Sequence, residues 1–148
     1  MTRKVEKRVE IRQTIVGRGV FARRDFKKGD VIGEITGGIM DFDYESDYCM
    51  DLDGSAVLEP APPFRFLNHS CAPNCELLLW KYRKIKGPKL HRLWVEATTR
   101  IREGDELTID YAWPLEAAIP CACRADNCRG WIVEEGSLPQ LQKLRPTG

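Results

Sequence analysis

The chain is short of several things that would have settled its class early. No apolar run approaches the roughly 20 residues needed to span a bilayer, and Met1 to Arg12 is charged, with no apolar core of a secretory signal. Charge of one sign is not in excess: 23 basic residues face 22 acidic ones, a net charge of +1. That balance gives no general attraction to nucleic acid or to an anionic membrane. Long helical periodicity is missing, and so is low-complexity sequence. The six cysteines, at 49, 71, 75, 121, 123 and 128, include no C-x-x-C pair, which argues against a thiol redox protein. These absences leave a single cytoplasmic or nuclear domain, since 148 residues can bury one sizeable core.

What is present is mostly short strands and turns. Apolar residues at 9, 11, 15, 16 and 20 lead into Gly17-Arg18-Gly19, where two glycines break regular structure and allow close backbone approach. Val31 to Ile35 predicts a strand closed by Thr36-Gly37-Gly38, and Tyr48 to Leu52 another, with Ala56-Val57-Leu58 after Gly54. Glu76 to Ile85 and Leu90 to Ala97 read as a hairpin about Lys86-Gly87-Pro88-Lys89. Leu107 to Tyr111 reads as a strand with Leu, Ile and Tyr on one face, and Pro114–Ile119 and Pro139–Leu144 as short helices. The stretch from Gly19 to Asp30 echoes that from Leu93 to Asp105, each a strand, a basic turn and Gly-Asp. Either a repeated unit or shared hairpin chemistry would give that echo; we read it as the second.

Two stretches carry chemistry. Arg65-Phe66-Leu67-Asn68-His69-Ser70-Cys71-Ala72-Pro73-Asn74-Cys75 is rich in side chains that hydrogen-bond or ligate, and its loop formers predict irregular chain in a cleft or in the interior. Buried irregular backbone needs polar partners; Asn68 and His69 either supply them or face a ligand. The second stretch, Cys121-Ala122-Cys123-Arg124-Ala125-Asp126-Asn127-Cys128, has the spacing C-x-C-x4-C. Three thiolates so spaced can reach one ion, and a tetrahedral structural zinc takes four. Cys71 or Cys75 is the obvious fourth; three free thiols are the alternative.

In chain order these pieces resemble the SET-domain protein lysine methyltransferases. Gly17-Arg18-Gly19-Val20-Phe21-Ala22 is similar to the family's first glycine motif, Arg65 to Cys75 to its RFxNHSCxPNC motif, and Gly104-Asp105-Glu106-Leu107-Thr108-Ile109-Asp110-Tyr111 to its GEELTxDY motif. Cys121 to Cys128 resembles the post-SET cysteines. The resemblance implies a mostly β fold of small curved sheets, with short helices and the NHSC chain threaded as a pseudoknot. It divides the chain into a SET domain over 1–114, a zinc-bound post-SET segment over 115–136 and a tail over 137–148.

It further implies S-adenosylmethionine as cofactor, held by Gly17, Arg18, Gly19, Tyr48, Arg65, Phe66, Asn68 and His69, with Trp131 covering the adenine. Tyr111 matches the catalytic tyrosine, and Cys71, Cys121, Cys123 and Cys128 the zinc ligands. The implied partner is a protein carrying the target lysine, possible histones included, without direct nucleic-acid binding. Oligomeric state is left open. The sequence departs from the family at Ile35, where a tyrosine is frequent, and at Ile109, where Phe or Tyr is usual and a smaller side chain leaves room for more methyl groups. The stretch from Gly38 to Tyr48 is too short for the family's inserted helix, and no cysteine-rich region precedes the first motif. Those departures keep a zinc-stabilised binding module without turnover as the alternative.

Overall fold

The structure, a computed structural model, describes residues 3–52, 54–81 and 91–145. Twelve short strands among them form four small sheets. The first has the order β1 (Val9–Thr14), β2 (Gly17–Ala22), β10 (Glu106–Ile109), β7 (Asn68–His69). The second is β3 (Val31–Ile35), β9 (His91–Ala97), β8 (Cys75–Lys81), and the third β4 (Gly37–Asp41), β6 (Ala56–Pro60), β5 (Met50–Leu52). The pair β11 (Ile119–Pro120) and β12 (Trp131–Ile132) closes the cysteine-rich segment.

The alternating strands turn their apolar residues inward to one core, in which Val20, Ile32, Leu52, Phe64, Val95, Ile101 and Leu107 are almost fully buried. Each such side chain contributes about 1.5–3 kcal/mol relative to leaving it in water. Ile35 belongs to this core, so its departure from the family pattern is a packing choice. A smaller cluster of Ala118, Trp131, Val133 and Leu141 joins the cysteine segment to α2 (Leu138–Leu144). Residues 138–144 therefore share a core with the segment before them. No helix among the described residues is long and apolar enough to cross a membrane.

Several expectations change. Val9 to Val20 is a hairpin whose two-residue turn, Ile15-Val16, is apolar and exposed. Thr14 secures that turn through its hydroxyl, which donates to the Gly17 carbonyl and accepts from the Val16 N–H. Arg3–Arg8 is a helix, α1, with no long apolar stripe to announce it. Thr36-Gly37-Gly38 does not end the sheet structure, because β4 follows at once and pairs with β6. Pro114 to Ile119 holds only a 3-10 turn over Leu115–Ala117. The stretch between β4 and β5 holds a turn, a bend and irregular chain, in keeping with its shortness. The β8–β9 hairpin pairs Cys75 with Ala97 through to Lys81 with His91, while its turn lies outside the described residues.

The echo between Gly19–Asp30 and Leu93–Asp105 proves to be more than hairpin chemistry. The two copies pair with each other. Phe26 and Ile101 exchange both backbone bonds, at 2.8 and 2.9 Å. The Ala22 N–H donates to the Asp105 carbonyl as the Ala97 N–H does to that of Asp30, and Gly104 reaches Ala22 as Gly29 reaches Ala97. Gly29 and Gly104 even share a left-handed φ, +92° and +93°. Equivalent residues thus meet about a local two-fold relation, a pairing a single hairpin cannot make.

The polar loop is also less irregular than its composition suggests. Asn68 and His69 pair in parallel with Thr108 and Ile109. Asn74 extends this edge with its side chain: Nδ2 donates to the Glu106 carbonyl at 2.8 Å, and Oδ1 accepts from the Thr108 N–H at 2.9 Å. An amide side chain here stands in for a rung of sheet, which satisfies backbone that apolar residues would have left unpaired.

Candidate active site

Tyr111 sits just past the end of β10, and three cavities meet it. One, of about 380 Å3, lies between the β1–β2 turn, Asn68 to Ser70, Glu106 and the cysteine segment. A second, about 480 Å3, is walled by Val16, Gly17, Arg18, Tyr48, Arg65, Phe66 and Asn68. The third, about 390 Å3, lies against Tyr48, Met50, Leu77, Ile109 and Trp113. Tyr111 lines all three, while Tyr48, Arg65 and Leu67 divide the last two. The Tyr111 hydroxyl donates to the Leu67 carbonyl at 2.5 Å. Burial, with the nearby Glu106 and Tyr48, pushes its pKa up to about 12, so the phenol stays protonated throughout the neutral range. Trp113 stacks on the Tyr111 ring with centroids 5.3 Å apart.

Asn68 brings strand β2 and β10 together here. Its Nδ2 donates to the Arg18 carbonyl at 3.0 Å and to Glu106 Oε2 at 2.8 Å, leaving Oδ1 to receive a ligand's donor. Gly19 suits this crowding, since a Cβ would lie 2.6 Å from Glu106 Oε2 and 3.2 Å from Asn68 Nδ2 and would displace the Glu106 carboxylate from Asn68. Arg18 rests over Phe66 and Arg65 over Tyr48, at 5.1 and 3.9 Å from the ring centroids. Arg65 is also paired to Glu59.

His69 lines the first cavity, and its ring is hydrogen-bonded within the protein. Its Nδ1 accepts the Tyr111 N–H at 3.0 Å, so Nε2 carries the proton, 3.4 Å from Cys71 Sγ. Both ring nitrogens are engaged inside the protein, and what His69 offers the cavity is wall. Burial, aided by the Arg129 charge, holds the imidazole below its usual pKa although Asp110 lies 3.6 Å away.

The sulfurs of Cys71, Cys121, Cys123 and Cys128 all lie within 4.8 Å of one another. Cys71 and Cys121 are 3.9 Å apart, close to the ~3.8 Å edge of a tetrahedron with Zn–S bonds of about 2.3 Å. Each sulfur accepts at least one backbone N–H: Cys71 from Arg129, Cys121 from Cys123, Cys123 from Cys71 and Cys128 from Gly130. Such donors favour thiolate, and against the cost of burial they help bring Cys123 down to about 6. Burial raises Cys71 and Cys121 instead, so it is a bound cation that would draw off their protons; four converging cysteine sulfurs are the donor set a structural zinc takes. Cys75 is elsewhere, buried in the main core with its thiol pushed up to about 12. Cys49 also stands apart, its Sγ 3.3 Å from the Ser46 carbonyl.

Residues 17–112 match the family model described as SET domain. The chain belongs to the SET-domain family. It is 37% identical over 111 residues to histone-lysine N-methyltransferase ash1 of Drosophila melanogaster, covering 68% of this chain and 5% of that protein. To the histone-lysine N-methyltransferase trr of the same fly it is 33% identical over 139 residues, 82% of this chain and 6% of the relative. The SET chain thus spans a small fraction of these relatives' length. Among solved structures, KRYPTONITE in complex with mCHH DNA, H3(1-15) peptide and SAH superposes with a TM-score of 0.72 over 84% of this chain and 29% of that one. At 24% identity that likeness is one of fold.

Trp131 lies beyond the SET match, in the cysteine-rich segment. Its ring packs with Val133, Leu138 and Leu141 in the small C-terminal core, with Arg145 above it, and it does not line the first cavity. Its neighbour Ile132 does, together with Ile119 and Pro120. Sequence reasoning also passed over Thr14, Ile15 and Val16, whose only signal was an apolar pair in a turn. Arg129 and Asp110 were missed as well: Arg129 Nη1 and Nη2 donate to Asp110 Oδ2 and Oδ1 at 2.9 and 2.8 Å.

Proposed function

We propose that this SET domain is an S-adenosylmethionine-dependent protein lysine N-methyltransferase that acts on a basic protein segment, histones being the leading class. The observation that carries the reading is that Tyr111 lines two adjoining cavities, which also share Tyr48, Arg65 and Leu67. A cofactor can occupy one and a lysine side chain the other. The curated relatives named above are histone-lysine methyltransferases, and the assignment carries over from them.

The first two cavities together fit the cofactor. Asn68 Oδ1 and Glu106 are there for its polar groups, and exposed Ile15, Val16 and Ile119 provide the apolar rim that a purine ring would cover. When bound, S-adenosylmethionine supplies an electrophilic methyl group on a positively charged sulfur. We assign Gly17, Arg18, Gly19, Tyr48, Arg65, Phe66 and Asn68 to holding it, with the His69 backbone and Ile132 in place of Trp131. The zinc ligands in this reading are Cys71, Cys121, Cys123 and Cys128. The proposed division is 1–114 for the SET domain and 115–136 for the zinc segment, with 137–145 packed on the latter. A cytoplasmic or nuclear setting belongs to the same reading.

The chain's own residues then align and desolvate. In-line transfer needs the two reacting atoms held on one axis and water kept out. Keeping a lysine with a free pKa near 10.4 neutral at pH 7 costs about 4.6 kcal/mol at 1.36 kcal/mol per unit. Leu77, Ile109, Tyr111 and Trp113 give this cavity an apolar and aromatic wall that disfavours the ammonium, while Asp47 and Asp51 in the same lining attract the incoming lysine. The Tyr111 hydroxyl, anchored on the Leu67 carbonyl, offers its lone pairs to orient the amine. His69 and Asp110, being engaged with Tyr111, Cys71 and Arg129, do not serve as base, so the proton leaves to water.

The test is methyl transfer from labelled cofactor to whole-cell protein by the zinc-loaded chain, with the modified residue mapped by mass spectrometry. Label on lysine is the expected result. Cofactor binding with no transfer to any protein would instead select the binding module.

A further inference from the structure

Resting on the methyltransferase reading, we propose that Arg129 is a positioning residue for Tyr111, acting through Asp110 to set the tyrosine's place between the two cavities. The forked pair joins the residue immediately after Cys128 to the residue immediately before Tyr111. Arg129 is only 12% exposed and its partner 32%, so water screens the pair less than it would at the surface. Burial alone would raise the Asp110 carboxyl, yet the fork and the Ala112 N–H keep it below its ordinary range. The remaining guanidinium nitrogen, Nε, is buried and has no hydrogen-bond partner among the described residues.

The fork bears on the tyrosine directly. Asp110 Oδ1 also accepts the Ala112 N–H at 2.9 Å, closing a turn in which Ala112 adopts φ +47°. A non-glycine residue rarely holds that conformation unaided. Tyr111 is the residue inside the turn. Its own N–H is fixed by His69, whose ring reaches Cys71. The tyrosine is therefore clamped from both flanks by groups attached to the four-cysteine cluster: Cys71 through His69, and Cys128 through Arg129 and Asp110. Lysine at 129 could restore the charge but not the fork, because it lacks two donors in one plane.

The experiment is a double-mutant cycle on the zinc-loaded full chain, with zinc content, cofactor affinity, kcat and KM measured for each variant. Arg129→Ala and Asp110→Asn should each lower kcat about tenfold to a hundredfold, as displacement of a reacting group by about an ångström does. Cofactor affinity should stay within about threefold, and Arg129→Lys should not rescue. In a Tyr111→Phe background the loss from Arg129→Ala should shrink to about threefold or less, since coupled residues are non-additive. A second readout does not depend on turnover: in chain carrying 13Cζ-tyrosine, the Tyr111 resonance at neutral pH should shift in both variants. An unmoved Tyr111 resonance, additive losses in kcat, or zinc lost from both variants would overturn the proposal, the last by reducing the pair to a brace for the metal segment. If the parent chain transfers no methyl group, the methyltransferase reading fails, and the resonance still decides whether Arg129 positions Tyr111.

Discussion

The hydroxyl of Tyr111 and the carbonyl oxygen of Leu67, 44 residues apart in the chain, are joined by a hydrogen bond of 2.5 Å. The bond fixes where the phenol points, because the donor hydrogen is committed to Leu67 and the oxygen's lone pairs are turned to whatever enters beside it. It also ties the tyrosine to the wall between the two cavities, of which Leu67 is part.

From this relationship we expect Tyr111→Phe to lower turnover about tenfold to a thousandfold, the usual effect of removing one positioned polar group, with little change in cofactor affinity. The rate should climb between about pH 7 and 9 as the bound lysine loses its proton. Tyr111 itself, with a pKa near 12, does not titrate in that window. The variant should therefore keep the slope and lose the height. Parent-like turnover in a methyl-lysine assay would end the catalytic role.

Zinc should bind at one ion per chain through the four clustered cysteines. Elemental analysis should find zinc absent or depleted in Cys71→Ser and full in Cys75→Ser, because only Cys71 reaches the cluster. Apparent zinc affinities in such sites are about 10–16 kcal/mol. Chelation should thus loosen the small core around Trp131 and Leu141, visible as a change in tryptophan emission. Zinc retained by Cys71→Ser would move the fourth ligand elsewhere.

Asn68→Ala should weaken S-adenosylmethionine binding by about 1.5–3 kcal/mol, the range for a hydrogen bond to a charged group. It should also loosen β2 against β10, since Nδ2 bridges Arg18 and Glu106. Titration calorimetry on a variant that melts as a folded protein separates the two effects. Undiminished affinity there would make Asn68 purely structural.

Alkaline stability carries a separate signature. Cys75 is raised from 9 to about 12, chiefly by burial, and Tyr111 from 10 to about 12. Both keep their protons in the folded state at pH values where the unfolded chain has lost them. Their contribution to stability is full below about pH 9 and is lost as pH rises towards 12. Urea midpoints measured from pH 8 to 11.5 should fall, and Cys75→Ala should flatten the fall. An equal slope in that variant would show that Cys75 ionises as readily folded as unfolded.

What could be read from the chain alone was whatever depends on neighbours in sequence. Cys121, Cys123 and Cys128 announce a metal site because their spacing already lets three sulfurs converge. The strands around Ile32, Val95 and Leu107 announce themselves by alternation, since the pleat turns every second side chain to the core. Spacing alone left Cys71 and Cys75 open, and the family resemblance pointed to Cys71; the two stand four residues apart, and the path of the loop along β10 sends one to the cluster and the other into the core. Asn68 and His69 become a strand because Thr108 and Ile109 lie beside them, not because of any propensity of their own. The echo of Phe26 in Ile101 was visible, but that the copies pair with each other is a fact of three dimensions. Trp131 looked poised over a ligand until α2 packed Leu138 and Leu141 against it. Arg129 and Asp110 carry no sequence signal as a pair: a contact across 19 residues is set by how the cysteine segment docks, and docking is decided by the whole buried surface rather than by any local pattern.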